Sequence, residues 1–208
     1  MGAWREDRTG SMEVVSGAIG RERIHFEAPA AARVDREMNA FLDWFNANTG
    51  TDLLLKAGLA HLWFVTIHPF EDGNGRIARS IADILLARSE DSPQRFYSMS
   101  AQIRQQRSAY YDILEQTQKG TMDVTPWMGW FLDGLGRAVD GAQTMLGAVL
   151  NKARFWERNQ ELPLNPRQRL MLNRLLDGFT GKLTTSKYGI LVRNASGGCS
   201  TSYSLANH

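Results

Sequence analysis

The chain has a single cysteine, Cys199, so no disulfide can close within it, and a lone thiol suits a reducing compartment. It has no run approaching the roughly 18 apolar residues of a membrane span, so nothing in it is expected to cross a bilayer. Its N-terminus lacks the apolar centre of a secretory signal; cytoplasm is the default expectation, with export by a specialised secretion system left open. Charge of one sign is also lacking. A net charge of +2 and a pI near 8.8 favour no nucleic-acid partner over any other and are compatible with ATP or an acidic target. What remains, 43% apolar and 22% charged residues over 208 positions, is the composition of a globular chain with one core and a small appendage.

Chemistry concentrates in His68-Pro69-Phe70-Glu71-Asp72-Gly73-Asn74-Gly75-Arg76-Ile77-Ala78-Arg79. Glycines on both sides of Asn74 let successive backbone N–H groups turn toward one point, and a helical pattern starts directly afterwards. That combination collects partial positive charge and makes an anion site. Arg76 and Arg79, three residues apart, are expected to share one helix face and to hold two further phosphate groups in line with the first, which points to a polyphosphate. Asp72 is the candidate ligand for the Mg²⁺ that such a molecule brings, since magnesium takes only one or two protein carboxylates beside phosphate oxygens. His68, with an ordinary pKa of about 6.5, is largely neutral at physiological pH and is the candidate base for an attacking hydroxyl. A lone GxG would be read as a plain turn with solvated arginines; the full string, set between an apolar segment and a helix, makes that the lesser reading.

At these residues the chain resembles the Fic (Fic/DOC) family, whose signature is His-Pro-Phe-x-(Asp/Glu)-Gly-Asn-Gly-Arg-x-x-Arg, and every specified position is matched. Gly2-Ala3-Trp4-Arg5 with His25 and Pro29 is similar to the family's flap region, and Ala57 to Ile67 to the helix leading into the motif, so that the likeness covers roughly residues 2 to 140. The resemblance implies a mostly α, Fic-type helical bundle with an N-terminal β-hairpin flap and a small helical appendage. It also implies a protein adenylyltransferase that moves AMP from ATP to a Ser, Thr or Tyr hydroxyl of a target protein. Carried over residue by residue, it makes His68 the catalytic base, Asp72 the metal ligand, and Phe70, Gly73, Asn74, Gly75, Arg76 and Arg79 nucleotide-binding. Tyr110 and Tyr111 look like the helix flanking the adenine site, although packing alone would explain them. Val15, Ile24 and His25 fall where the flap would receive an extended segment of the target.

In chain order, Glu13-Val14-Val15 and Arg23-Ile24-His25-Phe26, separated by glycines, predict a hairpin, with the flap at about residues 12 to 26. Val34, Met38, Phe41, Leu42 and Phe45 predict a helix over 31–48 that stops near Gly50. Residues 53–67 are apolar nearly all round, as a helix at the centre of a bundle should be. His61 lies two turns before His68, but it has no second ligand pair and no HExxH spacing, which makes it a structural histidine rather than a metal ligand. A helix is expected from the motif to the break at Ser89-Glu90-Asp91-Ser92-Pro93, then one over Ser98–Thr117. Another starts at Thr125-Pro126 and runs to about Phe155, with residues 141–160 continuing helical. Glu161-Leu162-Pro163-Leu164-Asn165-Pro166 reads as a linker, giving a Fic domain over 1–160 and a partial winged helix-turn-helix-like segment over 161–208. Helices are expected over Arg167–Asp177 and Thr184–Val192. The family's following Thr-Ala-x-Arg-Asp-Leu is replaced by Tyr203-Ser204-Leu205-Ala206-Asn207-His208, so DNA binding is doubtful.

Two other functions compete with AMP transfer. A kinase-like branch of the family replaces Gly-Asn-Gly-Arg with an Ala-Asn-Lys-type turn, which this chain does not have, and a non-enzymatic transcriptional regulator would use the C-terminal helices. Self-modification and a homodimer stay open. Many family members also carry an inhibitory Ser/Thr-x-x-x-Glu-Gly/Asn helix whose glutamate pairs with the second motif arginine, here Arg79. No glutamate in this chain is followed by Gly or Asn, so the expectation is that Arg79 is free to hold the γ-phosphate.

Overall fold

A computed structural model describes residues 3–6, 12–16, 21, 23–48, 50–90, 95–121, 123–179 and 184. The fold is mostly α, as the sequence leads one to expect, with seven helices and one antiparallel hairpin among the described residues. Two compact units divide the chain, residues 1–142 and residues 143–208.

The first unit is built around α2 (Leu53–Ile67), whose Ala57, Ala60, Leu62, Phe64, Val65 and Ile67 are all buried. Asp52 starts it, its carboxylate accepting from the backbone N–H groups of Leu54 and Leu55. α1 (Ala31–Asn46) packs on it through Val34, Met38 and Phe41, whereas Leu42, expected to join that apolar face, stays exposed. α3 (Asn74–Ser89) crosses α2 with small residues at the contact; Ala78 and Ala82 are buried, which brings the two backbones close. α6 (Thr125–Arg158) approaches α2 at Gly58, where a side chain would meet Met128 at 2.9 Å and Phe131 at 3.0 Å. Trp127 seals that approach by donating its indole N–H to the Gly58 carbonyl at 2.8 Å.

The single helix expected over Ser98–Thr117 is instead two, α4 (Met99–Gln105) and α5 (Arg107–Gln118), broken at Gln106. Gln106 leaves the helical region at φ −112° and ψ 35°, and its side chain accepts from Arg137 at 2.8 Å. Hydrophobic periodicity does not register a one-residue interruption that keeps Ile103, Tyr110 and Leu114 on the buried side. The hairpin, β1 (Glu13–Ser16) with β2 (Arg23–Glu27), pairs Val14 with Phe26 and Val15 with Ile24. The register shift between them leaves His25 as the extra residue of a bulge.

In the second unit, α7 (Pro166–Leu176) opens on a capping box in which Asn165 and Gln168 satisfy each other's backbone N–H groups. It is held to the end of α6 by Trp156 donating to Asn173 at 2.9 Å and by Lys152 against Asp177 at 2.6 Å. The helix expected over Thr184–Val192 and the C-terminal Tyr203–His208 segment lie, from residue 185 on, outside the described residues.

Candidate active site

The turn between α2 and α3 is fixed mainly by its own residues. His68 ends α2 in the left-handed conformation at φ 51°, the only non-glycine with positive φ among the described residues. That conformation costs about 1 kcal/mol for a side-chain-bearing residue, so its surroundings must hold it. Arg5 does so. Its backbone N–H donates to the Pro69 carbonyl at 2.9 Å and its Nε to the His68 carbonyl at 2.8 Å, while a second guanidinium N–H reaches the Pro29 carbonyl. Trp4 lies 5.2 Å from the Phe70 ring. Arg5 is buried, and its place in a flap-like stretch does not mark it as the clamp of the motif.

Asn74 closes the other half of the turn. Its Oδ1 accepts from the Phe70 N–H at 3.0 Å and its Nδ2 donates to the Phe70 carbonyl at 2.7 Å, with the side chain buried. Its carboxamide is thus engaged within the turn, and what Asn74 can offer a ligand is backbone. Gly73 takes φ 86°, which only glycine adopts without strain, and starts α3 there. The N–H groups of Asn74 and Gly75 open α3 at the pole of a helix that favours an anion, while that of Arg76 already donates to the Gly73 carbonyl at 2.9 Å.

The two arginines part company. Arg76 is exposed and lies 3.1 Å from Asp72, whose other oxygen accepts from the Gly73 N–H at 2.6 Å. Arg79 turns inward and lines a cavity of about 110 Å³ with His68, Gly75, Val65, Tyr110, Tyr111, Leu114, Gln118 and Val14 of the hairpin. The expected shared face is therefore divided between solvent and cavity, a consequence of the tilt that a 3-residue step leaves between neighbouring side chains. The cavity is small beside the about 300–1,000 Å³ of ordinary small-molecule pockets, so it suits a phosphate-sized group rather than a whole nucleotide.

His68 is half-buried with Nδ1 3.4 Å from the Val65 carbonyl. Burial pushes its pKa below the ordinary histidine value and the charge of Arg5 adds to that, against the opposing pull of the Val65 carbonyl. A neutral imidazole in this position can accept a proton. Among the described residues no three His, Cys, Asp or Glu gather as a metal cluster. Asp72, 91% exposed at its side chain and next to the turn, is chemically suited to Mg²⁺ that keeps most of its ligands as water and phosphate oxygen.

The remaining candidates are placed as follows. Tyr110 is buried, with its hydroxyl 3.0 Å from His61, which is itself fully buried against Trp127 and Phe131. Tyr111 stacks on His25 at 5.0 Å. The bulge turns His25 down onto α5, where its Nδ1 lies 2.9 Å from Glu115. Val15 and Ile24, expected to receive a target segment, face outward, and the neighbouring Val14 lines the cavity, as strand alternation requires.

A mostly helical domain that sets a glycine turn and a helix N-terminus beside a half-buried histidine on a left-handed corner is the class these features define. Residues 2–86 match the sequence model of the Fic/DOC family. It is 34% identical over 116 residues to the protein adenylyltransferase Fic of Nematostella vectensis, covering 54% of this chain and 25% of that one. It is 35% identical over 105 residues to the protein of the same name from Drosophila willistoni, covering 50% of this chain and 20% of that one. The match thus spans about a quarter or less of those curated relatives. A crystal structure of a Fic family protein from Desulfovibrio desulfuricans G20 superposes with a TM-score of 0.54 at 24% identity, covering 84% of this chain and 47% of that chain, which shows a shared fold.

Proposed function

We propose that the chain transfers AMP from ATP to a hydroxyl side chain of a target protein and releases pyrophosphate. The observation that carries this reading is the convergence of His68, Gly75 and Arg79 on one small cavity beneath the hairpin, and the relatives named protein adenylyltransferase support it. His68 takes the proton of the target hydroxyl; the hydroxyl oxygen forms a bond to the α-phosphorus as the bond to the bridging oxygen breaks, and pyrophosphate leaves with the electron pair. Arg79 and the first N–H groups of α3 hold phosphate oxygens, and Arg76 exchanges Asp72 for a phosphate when the nucleotide arrives. Asp72 would hold Mg²⁺, which when bound neutralises phosphate charge. Phe70 anchors the turn against Trp4, and Tyr110 and Tyr111 wall the nucleotide side.

The target's extended segment lies along the hairpin, which offers a two-stranded edge with Val15 and Ile24 turned outward, the arrangement that strand addition uses. All of these parts lie within residues 1–142, the first compact unit, and so inside the 1–160 domain expected from the sequence.

The test is incubation of the full chain with ATP and a cell lysate, followed by mass spectrometry of modified proteins. An adenylyl mass on Ser, Thr or Tyr supports the reading. A phosphoryl mass assigns the chain to kinase-like transfer, and no modification at all leaves the regulator.

A further inference from the structure

Two groups next to the cavity have no part in the mechanism above: the imidazole of His61 and the hydroxyl of Tyr110. His61 Nε2 lies 3.0 Å from Tyr110 Oη, and its Nδ1 is buried with no hydrogen-bond partner among the described residues. Burial, reinforced by the charge of Arg79, pushes the His61 pKa down to about 3, so the ring is neutral. A neutral imidazole has one N–H and one lone pair, which leaves two arrangements. With the proton on Nδ1, a buried N–H would have nothing to receive it, and Tyr110 would be engaged as donor to Nε2. With the proton on Nε2, the ring donates to Tyr110 Oη, and the atom without a partner is a bare acceptor. Orphaned buried N–H groups are the rarer of the two in folded proteins, so the second arrangement is favoured. The phenol then accepts from His61 and keeps its own O–H for another partner.

No other partner for Tyr110 Oη occurs among the described residues. Tyr110 lines the same cavity as His68, Gly75 and Arg79, and the charge of Arg79 acts on both Tyr110 and His61. Arg79 and Tyr110 therefore border one small space. We propose that Tyr110 donates its hydroxyl hydrogen to the phosphate that Arg79 holds, and that His61 is the positioning residue that keeps this hydroxyl a donor. The proposal rests on the ATP reading above and narrows it, giving Tyr110 a phosphate contact rather than a place against the adenine.

Tyr110→Phe in the full chain removes one oxygen and keeps the ring. In calorimetric titrations its affinity for ATP should fall about tenfold, the worth of one hydrogen bond to a charged acceptor, while its affinity for adenosine stays as in the parent; its Tm should fall, because the buried His61 Nε2–H loses its acceptor. His61→Phe should match that loss, His61→Gln, which keeps a donor, should recover part of it, and the double variant should be no worse than either single one. Unchanged ATP affinity in Tyr110→Phe overturns the proposal. So does an equal loss for ATP and adenosine, which is the signature of a merely structural tyrosine. Apart from any nucleotide, long-range proton–nitrogen correlation spectra should show His61 as the Nε2–H tautomer, and the Nδ1–H tautomer sinks the assignment. Should the parent transfer no AMP, titration with inorganic triphosphate separates the two ideas. Weaker triphosphate binding by Tyr110→Phe than by the parent upholds the phosphate contact without the AMP reading, and no binding by the parent overturns both.

Discussion

The turn at residues 68–75 and the hairpin at 13–27 flank the same cavity, yet they are held in opposite ways. Within the turn, Asn74 bonds Phe70 four residues away and Asp72 bonds Gly73 next door, with Arg5 as the one distant clamp. The hairpin reaches the body through His25 and Arg23, whose partners Asp112 and Glu115 are some ninety residues on. Local bonds lose little chain entropy on forming and leave one geometry, whereas a two-stranded hairpin is marginal alone and depends on what it docks against. A rigid anion site beside a separately anchored strand pair is a division that suits a fixed nucleotide and a variable target.

The largest effect should come from the rigid side. His68→Ala should lower AMP transfer by about 10²- to 10⁴-fold while leaving ATP affinity nearly unchanged, because the base acts on the target hydroxyl. Equal loss of binding would refute the role. Because burial holds the His68 pKa below 6.5, the reactive neutral form persists into mild acid, and the acidic limb of the rate profile should fall below that value.

Next, Arg79→Ala removes a fork from the cavity wall and should weaken ATP by about ten- to a hundredfold, or about 1.5–3 kcal/mol, read by titration. Arg76→Ala, exposed and already paired with Asp72, should cost less; the reverse order would mean that the division of the two arginines between cavity and solvent has no functional meaning. Asn74→Ala leaves both Phe70 backbone groups without their partner and should cost about 2 kcal/mol of unfolding free energy in a denaturant titration. A loss well under that would show that the turn does not depend on its own side chains.

These contrasts also account for what could be read in the residues alone. The motif was legible because glycines at 73 and 75, a histidine and two arginines state their chemistry within twelve positions, and α2 was legible because its apolar character runs unbroken from Leu53 to Ile67. The Arg5 clamp, the downward turn of His25 and the entry of Val14 into the cavity were not, because each depends on a contact made across sixty or more residues or on a bulge that shifts strand register by one. The break at Gln106 escaped for a different reason, since it leaves the buried face of both helices in phase.

The smallest expected effect tests the hairpin's anchor. Glu115 accepts from Lys119, from His25 and from Arg23, and these contacts, Lys119 first, hold its pKa down to about 2 against an ordinary 4.5. Between those values the folded chain binds fewer protons at this carboxyl than the unfolded chain. Its contribution is therefore complete above pH 4.5 and lost as pH falls toward 2. Amide exchange protection of Glu13–Ser16 and Arg23–Glu27 should hold down to about that upper value and decline below it, whereas protection of the Phe70 amide, bonded to a neutral carboxamide, should not follow the same curve. Glu115→Gln should lower hairpin protection modestly at neutral pH, remove the acid dependence, and leave ATP affinity intact while slowing modification of a protein target. If hairpin and turn lose protection together at every pH, the two are one cooperative unit and the contrast between them fails.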